Sequence, residues 1–178
     1  MILLIGGASH TGKTLTSQRL LEVLKIPYLS IDHLKMGLIR SFETDLTATS
    51  SSKDLTDYLW PIVLEMIKTA IENNQSLIVE GCYIPFNYQD DFEQTYLKEI
   101  TYVCLALSED YIQTNYDKIV SYESIIERRE YESDFDKEEL IKENKHNINE
   151  CIKHHLNYIE VKDSYDIDKI VQSILEMI

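Results

Sequence analysis

The chain is short of cysteine, of long apolar runs and above all of positive charge, and each shortage removes a class of protein. Its three cysteines, Cys82, Cys104 and Cys151, are scattered and odd in number. They show neither CxxC spacing nor a histidine at metal-ligand spacing, so they read as reduced thiols that fill space. No apolar run approaches the ~18 to 20 residues of a membrane span. The opening Met1–Ile5 has no basic residue before it and runs into glycines, so it reads as a buried strand rather than a secretory signal, and a cytoplasmic location is expected. Acidic residues outnumber basic ones 31 to 17, giving a formal net charge of -14. That surplus repels polyphosphate backbones and anionic head groups, so neither nucleic acid nor a membrane is an expected partner. Arginine is rarest of the basic types, confined to Arg19, Arg40, Arg128 and Arg129.

With 178 residues the chain has the size of one domain, and residues 1–178 are read as one. Short apolar runs alternate with longer stretches of helical period, the pattern of an α/β fold in which helices cover a parallel sheet. Strands are expected at Ile2–Ile5, Tyr28–Ile31, Ser76–Val79, Tyr102–Leu107 and Ile159–Val161. Helices are expected at Lys13–Leu24, His33–Arg40, Leu55–Glu72, from Ser108-Glu109-Asp110 onward, at Glu139–Tyr158, and from Ile167 to the end, where Ile167, Ile170, Val171, Ile174 and Leu175 form an apolar stripe. Pro61 predicts a kink or restart in the third helix. The Ser- and Thr-rich stretch Ser41–Lys53 reads as a mobile surface connection.

The segment Gly7-Ala8-Ser9-His10-Thr11-Gly12-Lys13-Thr14 has the form Gly-x4-Gly-Lys-Thr and stands between the first strand and the first helix. Glycines let the backbone curl its N–H groups toward phosphate oxygens, and a helix N-terminus adds partial positive charge. In that pattern Lys13 reaches the β and γ phosphates of a nucleoside triphosphate and the Thr14 hydroxyl ligates Mg²⁺. The motif serves kinases, ATPases and GTPases alike. A guanine-reading Asn-Lys-x-Asp segment is missing: the nearest string, Asn144-Lys145-His146-Asn147, lacks the aspartate and falls in a helical pattern. The chain is also short for a motor or transporter ATPase.

These residues resemble the small P-loop kinases of nucleotides and metabolites, among them the nucleoside monophosphate, shikimate and gluconate kinases. The resemblance covers almost the whole order of elements. It implies a three-layer fold with a five-stranded parallel sheet in the order 2-3-1-4-5, a substrate-binding insert at about 33–60 and an arginine-bearing lid at about 116–136. It also implies an ATP-dependent phosphotransferase that uses Mg²⁺ and acts on a small-molecule acceptor.

Several residues fall at positions where such kinases work. Asp32, at the end of the second strand, matches the carboxylate that holds or deprotonates the acceptor hydroxyl; the same residue also suits a helix cap. Arg40 matches an arginine that binds an anionic acceptor, or is a solvated surface residue. His33 and Lys35 are weaker candidates nearby. Glu80-Gly81 resembles an Asp-Gly pair whose carboxylate approaches Mg²⁺ through water and whose glycine lets substrate come close; an ordinary strand-ending turn would look the same. The arginine expected a few residues later is absent from Cys82-Tyr83-Ile84-Pro85-Phe86, which weighs against a nucleoside monophosphate acceptor. Arg128 and Arg129 match lid arginines that stabilise the transferring phosphoryl group, or pair with their neighbours Glu127 and Glu130 on the surface. A nucleotide-binding regulator that keeps the loop and does little chemistry is the rival reading. His154-His155 reads as structural, since adjacent helical side chains diverge by about 100°.

Overall fold

In the computed structural model, which describes residues 1–121 and 136–178, five parallel strands form one sheet in the order β2-β3-β1-β4-β5. They are β1 (Ile2–Gly7), β2 (Tyr28–Ser30), β3 (Leu77–Glu80), β4 (Ile100–Leu107) and β5 (Asn157–Val161). The helices are α1 (Lys13–Leu24), α2 (Ile31–Ser41), α3 (Ser52–Glu72), α4 (Gln94–Leu97), α5 (Glu109–Ser121), α6 (Lys137–Lys153) and α7 (Ile167–Leu175). The expected α/β class and the 2-3-1-4-5 order are both present.

Successive strand side chains point to opposite faces, so the sheet builds two cores. Ile2 and Leu4 of β1, with Val79, Tyr102 and Cys104, pack against Ile31 of α2 and the buried stripe of α3 formed by Leu55, Leu59, Trp60, Val63 and Ile67. Leu3 and Ile5, with Ile78, Val103 and Leu105, pack against Leu20 of α1, Ile112 of α5, Leu140 of α6, and Ile170 and Ile174 of α7. β1 is therefore sandwiched in a three-layer arrangement, all six of its residues buried. A strand buried on both faces reads as a continuous apolar run, which is why Ile2–Ile5 was legible. Cys104 and Cys151 are buried in the first of these cores, as space-filling thiols would be.

The details depart from the sequence reading in four places. β2 stops at Ser30 and α2 begins at Ile31, so the cap position falls to Ser30 and Asp32 stands inside the first helical turn. α3 is one helix from Ser52 to Glu72 with Pro61 inside it, so the restart that Pro61 could have imposed does not occur. Pro61 is exposed and its neighbours Leu59, Trp60 and Val63 are buried, so packing offsets the roughly 3 kcal/mol that proline costs a helix interior. The apolar period expected to run helically to Tyr158 divides: α6 ends at Lys153, His155 takes a left-handed φ of 55°, and β5 starts at Asn157. Residues 82–99, unassigned by pattern, hold a 3-10 turn at Tyr88–Asp91 and the short α4. Tyr88 stacks on Tyr102 at 5.5 Å and Trp60 Nε1 donates to Asp91 Oδ2 at 2.8 Å, so this segment seals the sheet face above β4.

Among the described residues no helix is long and apolar enough to cross a membrane. The expected insert, residues 33–60, comprises the rest of α2, an irregular and largely exposed connection at residues 42–51, and the start of α3. Arg128, Arg129 and most of the expected lid lie outside the described residues.

Candidate active site

Strand β1 delivers its C-terminal end to a loop that closes on the head of α1. Gly7 has a φ of 139° and Gly12 a φ of 83°, both outside the range ordinary side chains adopt. A Cβ at Gly7 would lie 2.3 Å from the Leu105 carbonyl oxygen, and one at Gly12 would lie 1.9 Å from the Tyr165 hydroxyl. Packing thus demands the two glycines as firmly as backbone conformation does. Gly12 is the cap of α1, no side chain satisfies the cap, and no acidic residue occupies the first turn. The helix's first N–H groups carry no side-chain cap, and α1's own first turn adds no negative charge beside them.

Inside the loop, Thr11 Oγ1 donates to the Ala8 carbonyl at 2.9 Å, which braces Ala8 and the half-buried Ser9 and His10 above it. Lys13 is 6% exposed and its ammonium donates to the same Ala8 carbonyl at 2.7 Å. Burial works against charge on Lys13, yet the Cys82 sulfur, Glu80 and Asp32 around it outweigh that and hold its pKa above the ordinary lysine value. Lys13 is therefore a buried cation facing groups from the end of β3 and from the start of α2.

Glu80, at the end of β3, is 1% exposed. Its Oε1 accepts from the Thr14 hydroxyl at 3.3 Å, across 66 residues of sequence. A hydroxyl and a carboxylate meeting beside a phosphate loop supply hard oxygen donors, and Mg²⁺ sites use one or two carboxylates with water and substrate phosphate completing the shell. The donor set fits Mg²⁺. Gly81 follows, and a Cβ there would sit 2.8 Å from the Ile31 Cβ. What approaches Gly81 is the start of α2, and this close contact brings Asp32 to the phosphate loop.

Asp32 accepts from the Lys35 ammonium at 2.6 Å on the same helix face. Lys35 also donates to the Tyr83 hydroxyl at 3.0 Å and lies 5.0 Å from the centre of that ring. Burial opposes charge on Lys35, but Asp32 and Tyr83 raise its pKa overall. Burial likewise raises the Tyr83 phenol, so it stays protonated at neutral pH. Lys35, a minor candidate from sequence, is thus a central one, and Tyr83 was missed. The i,i+3 spacing of Asp32 and Lys35 was the available signal. Arg40 is exposed in the last turn of α2. Eight residues separate it from Asp32, about 12 Å along a helix, so the two do not meet at one atom.

The string Asn144-Lys145-His146-Asn147 has a structural use. Asn144 is buried in α6, its Oδ1 accepting from the Leu107 N–H at 2.8 Å and its Nδ2 donating to the Leu140 carbonyl at 2.8 Å.

No family model matches the chain, and no curated protein matches it by sequence. Solved structures do match along its whole length. A provisionally designated kinase from Chloroflexus aurantiacus is 18% identical, with 99% of this chain and 97% of that one covered and a TM-score of 0.62. Shikimate kinase from Aquifex aeolicus is 18% identical over 99% of this chain and 94% of its own, with a TM-score of 0.54. Deoxyadenosine kinase from M. mycoides is 13% identical over 99% and 97%, with a TM-score of 0.55. The chain has the fold of the small P-loop kinases. These relatives diverge in acceptor, so the likeness fixes the architecture and leaves the acceptor to the residues.

Proposed function

We propose that this chain transfers the γ-phosphoryl group of ATP to a hydroxyl of a small-molecule acceptor. The observation that carries the reading is the convergence at the head of α1 of a buried lysine with two carboxylates from different elements, Glu80 and Asp32. A simple nucleotide-binding loop needs Lys13 and Thr14. It has no need of a second carboxylate on the acceptor side.

In this reading, backbone N–H groups of Gly7 to Lys13 hold the phosphates, and the Lys13 ammonium exchanges the Ala8 carbonyl for a phosphate oxygen. Thr14 and, through water, Glu80 hold Mg²⁺, which when bound neutralises charge on the phosphates. Asp32 accepts the proton of the acceptor hydroxyl as its oxygen bonds to the γ-phosphorus. The bond from that phosphorus to the bridging oxygen breaks, leaving ADP and the phosphorylated acceptor. Glu80 borders the acceptor, whereas the space beside Gly81, where the sequence led us to expect substrate, is filled by the side chain of Ile31. Arg40, exposed and about 12 Å along α2 from Asp32, contacts a distal anionic group where the acceptor has one. Arg128 and Arg129 are assigned to the transferring group on their sequence position alone.

The test is ADP release from Mg²⁺ and ATP in the presence of sugar acids, phosphoglycerates, nucleosides and nucleotides. The expected result is formation above the acceptor-free control with at least one class. ATP binding with no ADP across the panel would favour the regulator, and equal ADP with and without acceptor would mark an ATPase.

A further inference from the structure

Lys35 is the feature that neither the phosphate loop nor the proposed transfer requires. A lysine ammonium is rarely placed in a protein interior unless paired, and this one is 8% exposed on a helix whose other basic residues, His33 and Arg40, face solvent. It bridges two segments: Asp32 Oδ1 at 2.6 Å on α2, and the Tyr83 hydroxyl at 3.0 Å in the stretch after β3. The phenol ties the ammonium to the segment beyond Gly81, so the lysine cannot follow solvent outward, and the carboxylate is held against it.

We infer that Lys35, anchored by Tyr83, is a positioning residue for Asp32: bonded to its Oδ1, it fixes the carboxylate's rotamer and favours its ionised form. The assignment of Asp32 as base rests on the phosphotransfer reading above. An ammonium at hydrogen-bond distance favours the charged carboxylate and opposes idle protonation of the base near neutrality. The groups around the pair include Lys13 from the loop after β1, which shares the field of Asp32 and Glu80, and Cys82 beside Tyr83. The Lys13 charge acts in the same direction as that of Lys35, but it sits on the phosphate side, donating to Ala8. Lys35 is bonded to the carboxylate itself, at 2.6 Å from Oδ1.

The experiment compares Lys35→Met, Lys35→Arg and Tyr83→Phe with the wild-type chain. It follows the Asp32 carboxyl carbon by ¹³C NMR against pH, with Asp32→Asn to assign the signal, and kcat and KM with the best acceptor of the panel. Thermal melts identify any variant that fails to fold, and Lys35→Arg, which keeps the charge, is the fold-preserving comparison. In Lys35→Met the Asp32 titration should move up by at least about one pH unit. The acid limb of kcat/KM should move with it, and kcat should fall about tenfold or more while KM for ATP holds. Lys35→Arg should recover most of the loss, and Tyr83→Phe should show a smaller loss of the same kind. An unmoved Asp32 titration in a folded Lys35→Met, or full kcat there, overturns the inference. No transfer by the wild-type chain to any acceptor overturns the phosphotransfer reading by itself, since the NMR titration still decides whether Lys35 holds Asp32.

Discussion

In the proposed reading, the phosphate side of this site and its acceptor side are built by different means. The phosphate side is backbone: a loop whose geometry is set by two glycines of positive φ, closing on a helix terminus with no side-chain cap. The acceptor side is side chain: a carboxylate, an ammonium and a phenol drawn from α2 and from the segment after β3, held by hydrogen bonds that span 48 residues. A backbone site tolerates little change in its glycines and accepts much change in the residues between them. A side-chain site can be rewritten one residue at a time, and this is how one fold comes to serve many acceptors.

The largest effect should come from breaking the phosphate side. Lys13→Ala removes the buried cation that faces Glu80 and Asp32, and turnover should fall by about a thousandfold, the scale of losing a principal charge stabiliser in the transition state. A coupled assay of ADP formation measures it. Retention of more than a tenth of wild-type turnover would mean that the phosphates are held chiefly by the backbone. Next in size is Asp32→Asn. The amide still accepts from Lys35 but is no base, so kcat should fall about a hundredfold while ATP affinity by calorimetry stays within about twofold. Equal losses in both would erase the division between the two sides.

That division also explains what could be read in advance. Gly7, Gly12, Lys13 and Thr14 lie within eight residues of one another, and the strand-loop-helix order around them is a local pattern. The sheet order followed from the resemblance that this loop supports. Asp32 was found as a carboxylate near a strand end, but its placement inside α2 was not, because an aspartate serves equally as cap and as first-turn residue. Tyr83 was invisible, since nothing in Cys82-Tyr83-Ile84 says that its hydroxyl will meet Lys35. Pro61 does not end its helix for a related reason: tertiary packing of Leu59, Trp60 and Val63 outweighs a local rule. Contacts made by long-range packing leave no period and no spacing to read.

A smaller and purely structural loss should follow from Asn144→Leu, which sharpens the comparison by loosening the frame on the β4 side without touching either half of the chemistry. The buried Leu107 N–H would lose its acceptor. Leaving such a group unsatisfied costs about 1 to 3 kcal/mol, to be read from urea unfolding. The kinetic constants of the folded fraction should be unchanged; a selective rise in KM for ATP would show that β4 transmits strain to the loop at Gly7, whose missing Cβ faces Leu105.

The smallest expected effect separates the two sides most cleanly because its sign is opposite. Gly37 lies in α2, between Lys35 and Arg40, and among the described residues no atom outside its own helical backbone comes within 4 Å of where its Cβ would stand. A glycine inside a helix costs roughly 0.5 to 1 kcal/mol relative to alanine, so Gly37→Ala should stabilise the chain by about that amount in the same unfolding assay. A residue kept at that cost in open space has a use only if something approaches the helix there. If the acceptor runs along α2 from Asp32 toward Arg40, the added methyl meets it, and the acceptor KM rises severalfold while ATP affinity and Tm do not suffer. Higher stability with every kinetic constant unchanged would confine the acceptor to the Asp32, Lys35 and Tyr83 end of the helix and remove Arg40 from the site.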